Sequence, residues 1–173
     1  MRIYKLLASC MLLIGLQANA NMISIELDNP SVSVGETVNV SLLASFTDAV
    51  DTIDFEFLFD NSLFSFVSGS EASDLPNDGF LNFFSAVPNT VGLGLGFVSF
   101  ESTVTGSFLF ASFQLERTSA GVTEFSLQSN VLSDFLGNDY MLEPVNAMAV
   151  SAPSTAGLFA LAGLALLGIR RKA

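Results

Sequence analysis

The side chains best suited to chemistry in this sequence are oxygens gathered in turns. Glu71, Asp74, Asn77 and Asp78 stand in EASDLPNDG, and Asp134, Asn138 and Asp139 stand in SDFLGND. Calcium takes six to eight such oxygens, from carboxylates and carbonyls, and extracellular calcium sites can be weak. Asp74, Asp78, Asp134, Asn138 and Asp139 are therefore the candidate metal ligands, and calcium is the one cofactor the sequence allows. Neither stretch has the EF-hand spacing, so hydrated turns are the plainer reading.

A second arrangement is DFEFLFD, where Asp54, Glu56 and Asp60 share one face of a strand. The first two lie about 7 Å apart at strand rise, and paired carboxylates can cleave glycosides. Every acidic strand yields such pairs, however. The chain has no tryptophan, and Tyr140 is the one tyrosine of residues 21–150 that could stack on a sugar ring. VGLGLGFVSF places Gly92, Gly94 and Gly96 at a period of two, which is a strand with one bare face. No lysine or helix start follows, as a phosphate-binding loop would require. Such a face admits close approach of another backbone, from dense packing within the domain or from a partner.

Histidine is absent, which removes the commonest general base and transition-metal ligand. The single cysteine, Cys10, lies in the N-terminal apolar run, so a processed chain has no thiol for catalysis or a disulfide. The reading is non-enzymatic. All 17 carboxylates fall between Glu26 and Glu143 against one cation there, Arg117, a formal −16. That charge repels phosphate backbones and disfavours nucleic acid.

The elements that must position these residues read as strands. From Met22 to Val150, short apolar runs alternate with turn residues at the intervals of an all-β sandwich. In SVSVGETVNVSLLASF, Val32 and Val34 share a face, as do Val38, Val40 and Leu42 after Gly35-Glu36, which predicts two strands in a tight hairpin. Phe55, Phe57 and Phe59 share the face opposite Asp54 and Glu56 and are assigned to the core. Further strands are expected over 63–67, 80–86, 90–100, 106–115 and 123–129, with a last one near 140–150.

With its order of features, the chain resembles a cohesin-like module, a jelly-roll β-sandwich of the carbohydrate-binding superfamily. The carrying residues are SVSVGETVNVSLLAS, then IDFEFLFDNSLFSFVSGS, then GVTEFSLQSNVLSDFLGNDY. The resemblance implies a binding or scaffold module with a protein or polysaccharide ligand, and it assigns no contact residue.

Both ends read as targeting segments. Residues 1–20 carry Arg2 and Lys5, an apolar stretch from Leu6 to Leu16, and the A-x-A cleavage signal of Ala18 and Ala20, the layout of a secretory signal peptide. A lipoprotein is the competing reading, since Leu7-Ala8-Ser9-Cys10 is similar to a lipobox. At the other end, residues 156–169 form an uncharged run of Ala, Leu and Gly followed by Arg170, Arg171 and Lys172. As a helix it would be about 21 Å long, short of a hydrocarbon core of about 30 Å, and its basic tip is a cytoplasmic stop.

Val150-Ser151-Ala152-Pro153-Ser154-Thr155, this helix and the basic tail resemble the PEP-CTERM sorting signal of exported Gram-negative proteins. Ser151-Ala152-Pro153 stands where that family has Pro-Glu-Pro. Ala152, Pro153, Ser154 and Thr155 are the expected sorting motif. The resemblance implies handling by the secretion machinery and then by an exosortase-type membrane enzyme, and release or attachment at the cell surface or in an extracellular, biofilm-type matrix. The expected organisation is thus a signal peptide (1–20), a cohesin-like β-sandwich (21–150) and a sorting segment (151–173). The alternative is a permanently anchored periplasmic or matrix protein without a specific ligand.

Overall fold

The computed structural model describes residues 21–142 and 146–150. The signal peptide, with Ala18 and Ala20, and the sorting segment, with Ala152, Pro153, Ser154, Thr155, Arg170, Arg171 and Lys172, lie outside them.

The described residues form nine strands: β1 (Met22–Leu27), β2 (Thr37–Val50), β3 (Thr52–Leu58), β4 (Phe64–Phe66), β5 (Asn82–Pro88), β6 (Gly92–Ser99), β7 (Val104–Arg117), β8 (Val122–Ser133) and β9 (Asn146–Val150). One sheet has the order β1-β2-β7-β4 and the other β5-β6-β3-β8-β9. Every strand pairing is antiparallel, and the chain passes repeatedly between the sheets, as the expected all-β sandwich requires.

Phenylalanine joins the two sheets. Phe55 meets Phe110 edge-on at 5.4 Å, Phe57 meets Phe113 at 5.0 Å, and Phe64 meets Phe125 at 5.3 Å. Phe55, Phe57 and Phe59 are all buried, as their shared face predicts. Edge-to-face geometry adds to the area each ring removes from water. Between Leu42 and Leu43 the β2–β7 register shifts, so Phe110 and Ala111 are consecutive residues that both turn inward. A β-bulge accounts for this break in a period of two.

The largest buried polar side chain is a cation. Arg117 ends β7 fully buried, its guanidinium 5.0 Å over the Phe64 ring. Its Nε donates to the Ser119 carbonyl and its Nη2 to that of Gly121, while Nη1 has no partner. The cation thus closes the turn between β7 and β8 and is withdrawn from the surface.

The hairpin expected around Gly35 does not form. Residues 31–34 are not a strand, and Val32 is buried whereas Val34 is exposed. The edge of β2 is already taken by β1, in a register from Met22 opposite Ser45 to Leu27 opposite Val40. The Glu36 carboxylate accepts the Ser33 N–H and folds the segment into a turn. β1 itself was not among the expected strands, because MISIEL follows the predicted cleavage site with no turn residues before it. Strand limits elsewhere move by a few residues, most of all in β8, which continues through a bulge to Ser133.

Candidate binding face

The outer face of the five-stranded sheet is built from the residues that alternate with the core positions of β5, β6, β3 and β8. Cross-strand register sets them in rows: Phe83, Val98, Thr52 and Ser133; then Ser85, Gly96, Asp54 and Val131; then Val87, Gly94, Glu56 and Gln128; then Gly92, Leu58 and Ser126. β6 therefore runs through the face as a nearly bare strip, with Phe83 and Val87 on one bank and two carboxylates on the other.

The three glycines differ in what they permit. A Cβ at Gly92 would lie 1.9 Å from the Phe57 carbonyl oxygen, so this glycine exists for the close approach of β3. At Gly94 the nearest atom is the Val87 carbonyl oxygen at 3.5 Å, ordinary contact, and at Gly96 it is Ser85 Oγ at 3.1 Å. Packing explains the first glycine, Gly94 leaves an open floor, and Gly96 is hemmed by the Ser85 hydroxyl. Asn89 spans part of that floor, its Nδ2 donating to Glu56 and its Oδ1 accepting the N–H groups of Val91 and Gly92.

At one end of this sheet, turns present large apolar side chains to water. Phe80 is 82 % exposed and Leu136 87 %, with Phe100 and Phe135 exposed beside them in sequence or strand order. The Phe100 N–H donates to the Leu81 carbonyl, which ties the loop after β6 to the turn before β5. Ser99, buried, donates to the Asn82 side chain below it.

The candidate calcium ligands hold these turns. Asp78 Oδ1 accepts the N–H groups of Phe80, Leu81 and Asn82, and Oδ2 accepts Asn82 Nδ2. Hydrogen bonds from the backbone N–H groups of Asn82, Phe80 and Leu81 hold the Asp78 carboxyl down at about 2. Asp134 accepts from the Asn138 side chain and backbone, from the Leu136 N–H and from the Tyr140 hydroxyl at 2.8 Å. Its carboxyl is likewise lowered to about 2, chiefly by Asn138, and the Tyr140 phenol is pushed up by its bond to Asp134.

Asp74 accepts the Leu109 N–H along the edge of β7, and Asp139 bridges Ser133. Asp78 and Asp134 belong to turns at β5 and β8, which β6 and β3 separate. Among the described residues no three acidic groups gather to hold a metal ion. Asp78 and Asp134 act through these bonds as turn caps.

Asp54, Glu56 and Asp60 do not act together: Asp54 and Glu56 stand on the open face, whereas Asp60 caps its own turn through Ser62. The apolar members of the face, Phe83, Val87, Val98 and Val131, were not singled out in the sequence. The signal for them is the doubled apolar pattern of NFFSAV and GFVSF, where both faces of a strand carry apolar side chains.

No protein-family model and no curated protein matches the chain. Solved structures do. A cohesin module of a family 33 glycoside hydrolase from Clostridium perfringens superposes with a TM-score of 0.62 at 16% identity, over 78% of this chain and 98% of that one. A non-cellulosomal cohesin from Archaeoglobus fulgidus gives 0.62 at 13%, over 81% and 97%. A chain of a type II cohesin–X-dockerin complex from Acetivibrio cellulolyticus gives 0.60 at 13%, over 76% and 99%. The described part of the chain therefore has the fold of a cohesin-like β-sandwich.

Proposed function

We propose that the chain is an exported, non-enzymatic binding module that takes a protein partner on the outer face of its five-stranded sheet. The observation that carries this is the strip of β6 at Gly94 and Gly96, with Phe83 and Val87 of β5 on one side, Asp54 and Glu56 of β3 on the other and Val98 at its end. A flat face with an apolar bank and an acidic bank suits a partner surface that pairs aliphatic side chains with lysine or arginine. One of the similar solved structures comes from a cohesin–dockerin complex, which supports a protein ligand over a glycan. So does the absence of tryptophan, with Tyr140 the one tyrosine of residues 21–150.

Export and sorting rest on the sequence of the two ends. Residues 1–20 send the chain across the inner membrane, and residues 151–173 hold it there for an exosortase-type enzyme. Its destination is the cell surface or an extracellular matrix associated with polysaccharide.

The binding face is tested by placing a photo-crosslinking amino acid at Val87 or Val98 of the full chain, and at Ser41 or Ser112 on the other sheet, in cells that export it. A discrete protein adduct at the first pair and none at the second supports the reading. Adducts at neither pair, or equally at both, overturn it. Mass spectrometry of the exported chain tests sorting: a C-terminus between Ala152 and Thr155 supports it, and an intact Arg170-Arg171-Lys172 tail in the membrane overturns it.

A further inference from the structure

One side of the sandwich is open between its two sheets. Beyond β4, the chain continues along β7: Val67 N–H donates to the Gln114 carbonyl, Ala72 bridges Ser112, and Asp74 N–H donates to the Leu109 carbonyl. This segment forms the margin of the four-stranded sheet, and β5 forms the margin of the five-stranded sheet. Between the margins lies a cleft of about 250 Å³, with Leu75, Phe84 and Ala86 forming its apolar part and Glu71, Ser73 and Asn77 its polar part. Phe84 leans on the core ring of Phe110 at 6.1 Å, so the cleft reaches the core.

The edge of β5 that borders this cleft is only partly capped. Asn89 N–H donates to the Gly92 carbonyl, which closes the β5–β6 hairpin and sets Val87, Ser85 and Phe83 in hydrogen-bonded register with Gly94, Gly96 and Val98. The backbones of Asn82, Phe84, Ala86 and Pro88 then turn outward. Three outward groups are used: the Asn82 N–H donates to Asp78 Oδ1, the Asn82 carbonyl accepts from Asp78 and Gly79, and the Phe84 N–H donates to Asn77 Oδ1 at 3.5 Å. Pro88 has no N–H and ends the edge. What remains is the Phe84 carbonyl with the N–H and carbonyl of Ala86, placed directly over the cleft. A short free edge beside an apolar cavity is the geometry of strand addition, where backbone bonds give affinity and a pocket for alternate side chains gives selectivity.

We propose that this seam takes an extended segment of a partner protein in which aliphatic residues alternate with lysine or arginine. The backbone pairs with Phe84 and Ala86, one aliphatic side chain enters the cleft, and the alternating cationic side chains point to the outer side of the added strand, in the field of a body with 17 carboxylates and one buried cation. Charge selects the sign: residues 21–150 carry one cation, and that cation is the buried Arg117. The site is distinct from the outer face of the sheet, because Phe84 and Ala86 point inward where Phe83, Ser85 and Val87 point out.

The test is fluorescence anisotropy of the full chain with a labelled peptide, Lys-Leu-Lys-Val-Lys-Leu. Its comparators are Glu-Leu-Glu-Val-Glu-Leu and a version of the basic peptide N-methylated at alternate residues. The basic peptide is expected to bind saturably. Methylation of the N–H that meets the edge should weaken it by about threefold to tenfold for each bond lost, and the acidic peptide should bind at least as much more weakly. Ala86→Pro removes the edge donor and should weaken binding similarly, and Glu71→Lys should reduce the preference for the basic peptide. Val98→Lys, on the outer face, should leave it unchanged, so that failure here and failure of the outer-face reading are separate results. Absence of saturable binding, equal binding of the methylated peptide, or equal binding of the acidic peptide overturns the proposal. The methylated peptide leaves the protein untouched, so a misfolded Ala86→Pro variant does not blunt the test.

Discussion

The two sheets share one core and differ in what they show to water. On the four-stranded sheet, serine is frequent at the outer positions: Ser24, Ser41, Ser45, Ser107 and Ser112 stand in adjacent cross-strand rows, with Met22, Leu43 and Leu109 among them. Several of the polar groups partner one another or the backbone. Ser24 Oγ donates to the Leu43 carbonyl, Gln114 Nε2 donates to Asn39 Oδ1 at 3.0 Å, and Asn39 Nδ2 donates to Asp28. On the five-stranded sheet Ser85, Thr52, Gln128, Ser126 and Ser133 share the equivalent positions with Phe83, Val87, Val98, Val131, the glycines of β6 and two carboxylates. A surface that satisfies itself gains little from a partner, whereas one that leaves apolar area in water gains by covering it. This contrast is what the proposed docking face rests on.

The harshest break in that contrast goes through the core that backs both faces. Phe57 packs against Phe59, Phe113 and Phe125. Phe57→Ala should cost about 3–5 kcal/mol, measured by urea unfolding, and should expose amides of both sheets together in hydrogen exchange. Loss of protection confined to one sheet would mean that the two faces are not parts of one cooperative unit.

The glycine strip sharpens the contrast next. Gly92→Ala forces a carbon to within 1.9 Å of the Phe57 carbonyl oxygen, so the strand must move. A loss of about 1–3 kcal/mol or more is expected, as for overpacking elsewhere. Gly94→Ala meets only ordinary contacts and should stay within about 0.5 kcal/mol of the parent. Equal penalties at the two positions, read from thermal unfolding, would make the whole strip a packing device and remove the floor of the binding face.

How much of this was legible in the sequence depends on whether a signal was local. Alternation in DFEFLFD placed Phe55, Phe57 and Phe59 in the core, because the period of a strand is a property of adjacent residues. The sandwich and most of its strands followed by the same reasoning. Residues 31–34 failed because their alternation was genuine while the edge they needed belonged to β1, which is a question of long-range pairing. The acidic turns were located correctly, but their chemistry was not legible: whether Asp78 faces a cation or three N–H groups depends on the path of the backbone around it. The seam beside β5 lies further out of reach, since it joins residues 71–77 to 84 and 86 across a gap that no spacing encodes.

The acid limb of stability probes the end of the five-stranded sheet specifically. Asp78 and Asp134 have folded values of about 2 against 3.8 for the free side chain. Both are depressed, so each contributes stability that is fully present above about pH 4 and is lost as pH falls toward 2. Thermal midpoints should therefore decline over that window. The double variant Asp78→Asn, Asp134→Asn should be less stable near neutrality and show a shallower acid decline. An acid limb as steep as the parent's would place the responsible carboxylates elsewhere, and the turns carrying Phe80 and Phe135-Leu136 would not be the acid-sensitive end.

The smallest expected effect is also the most discriminating. Val87→Lys and Val98→Lys on one sheet, and Ser41→Lys and Ser112→Lys on the other, all add the same charge to a solvated strand position. None should change stability by more than about 0.5 kcal/mol, as is usual for surface sites. Intramolecular energetics therefore treats the two faces alike. A partner does not: the valine variants should abolish the adduct formed from the outer face of the five-stranded sheet, and the serine variants should leave it intact. If the serine variants abolish it as well, the added charge acts through the overall field of an acidic protein rather than through a contact, and the distinction between the faces fails. The strength of the comparison lies in that null effect on stability, because a change in binding without a change in folding can only be read at the surface where it was made.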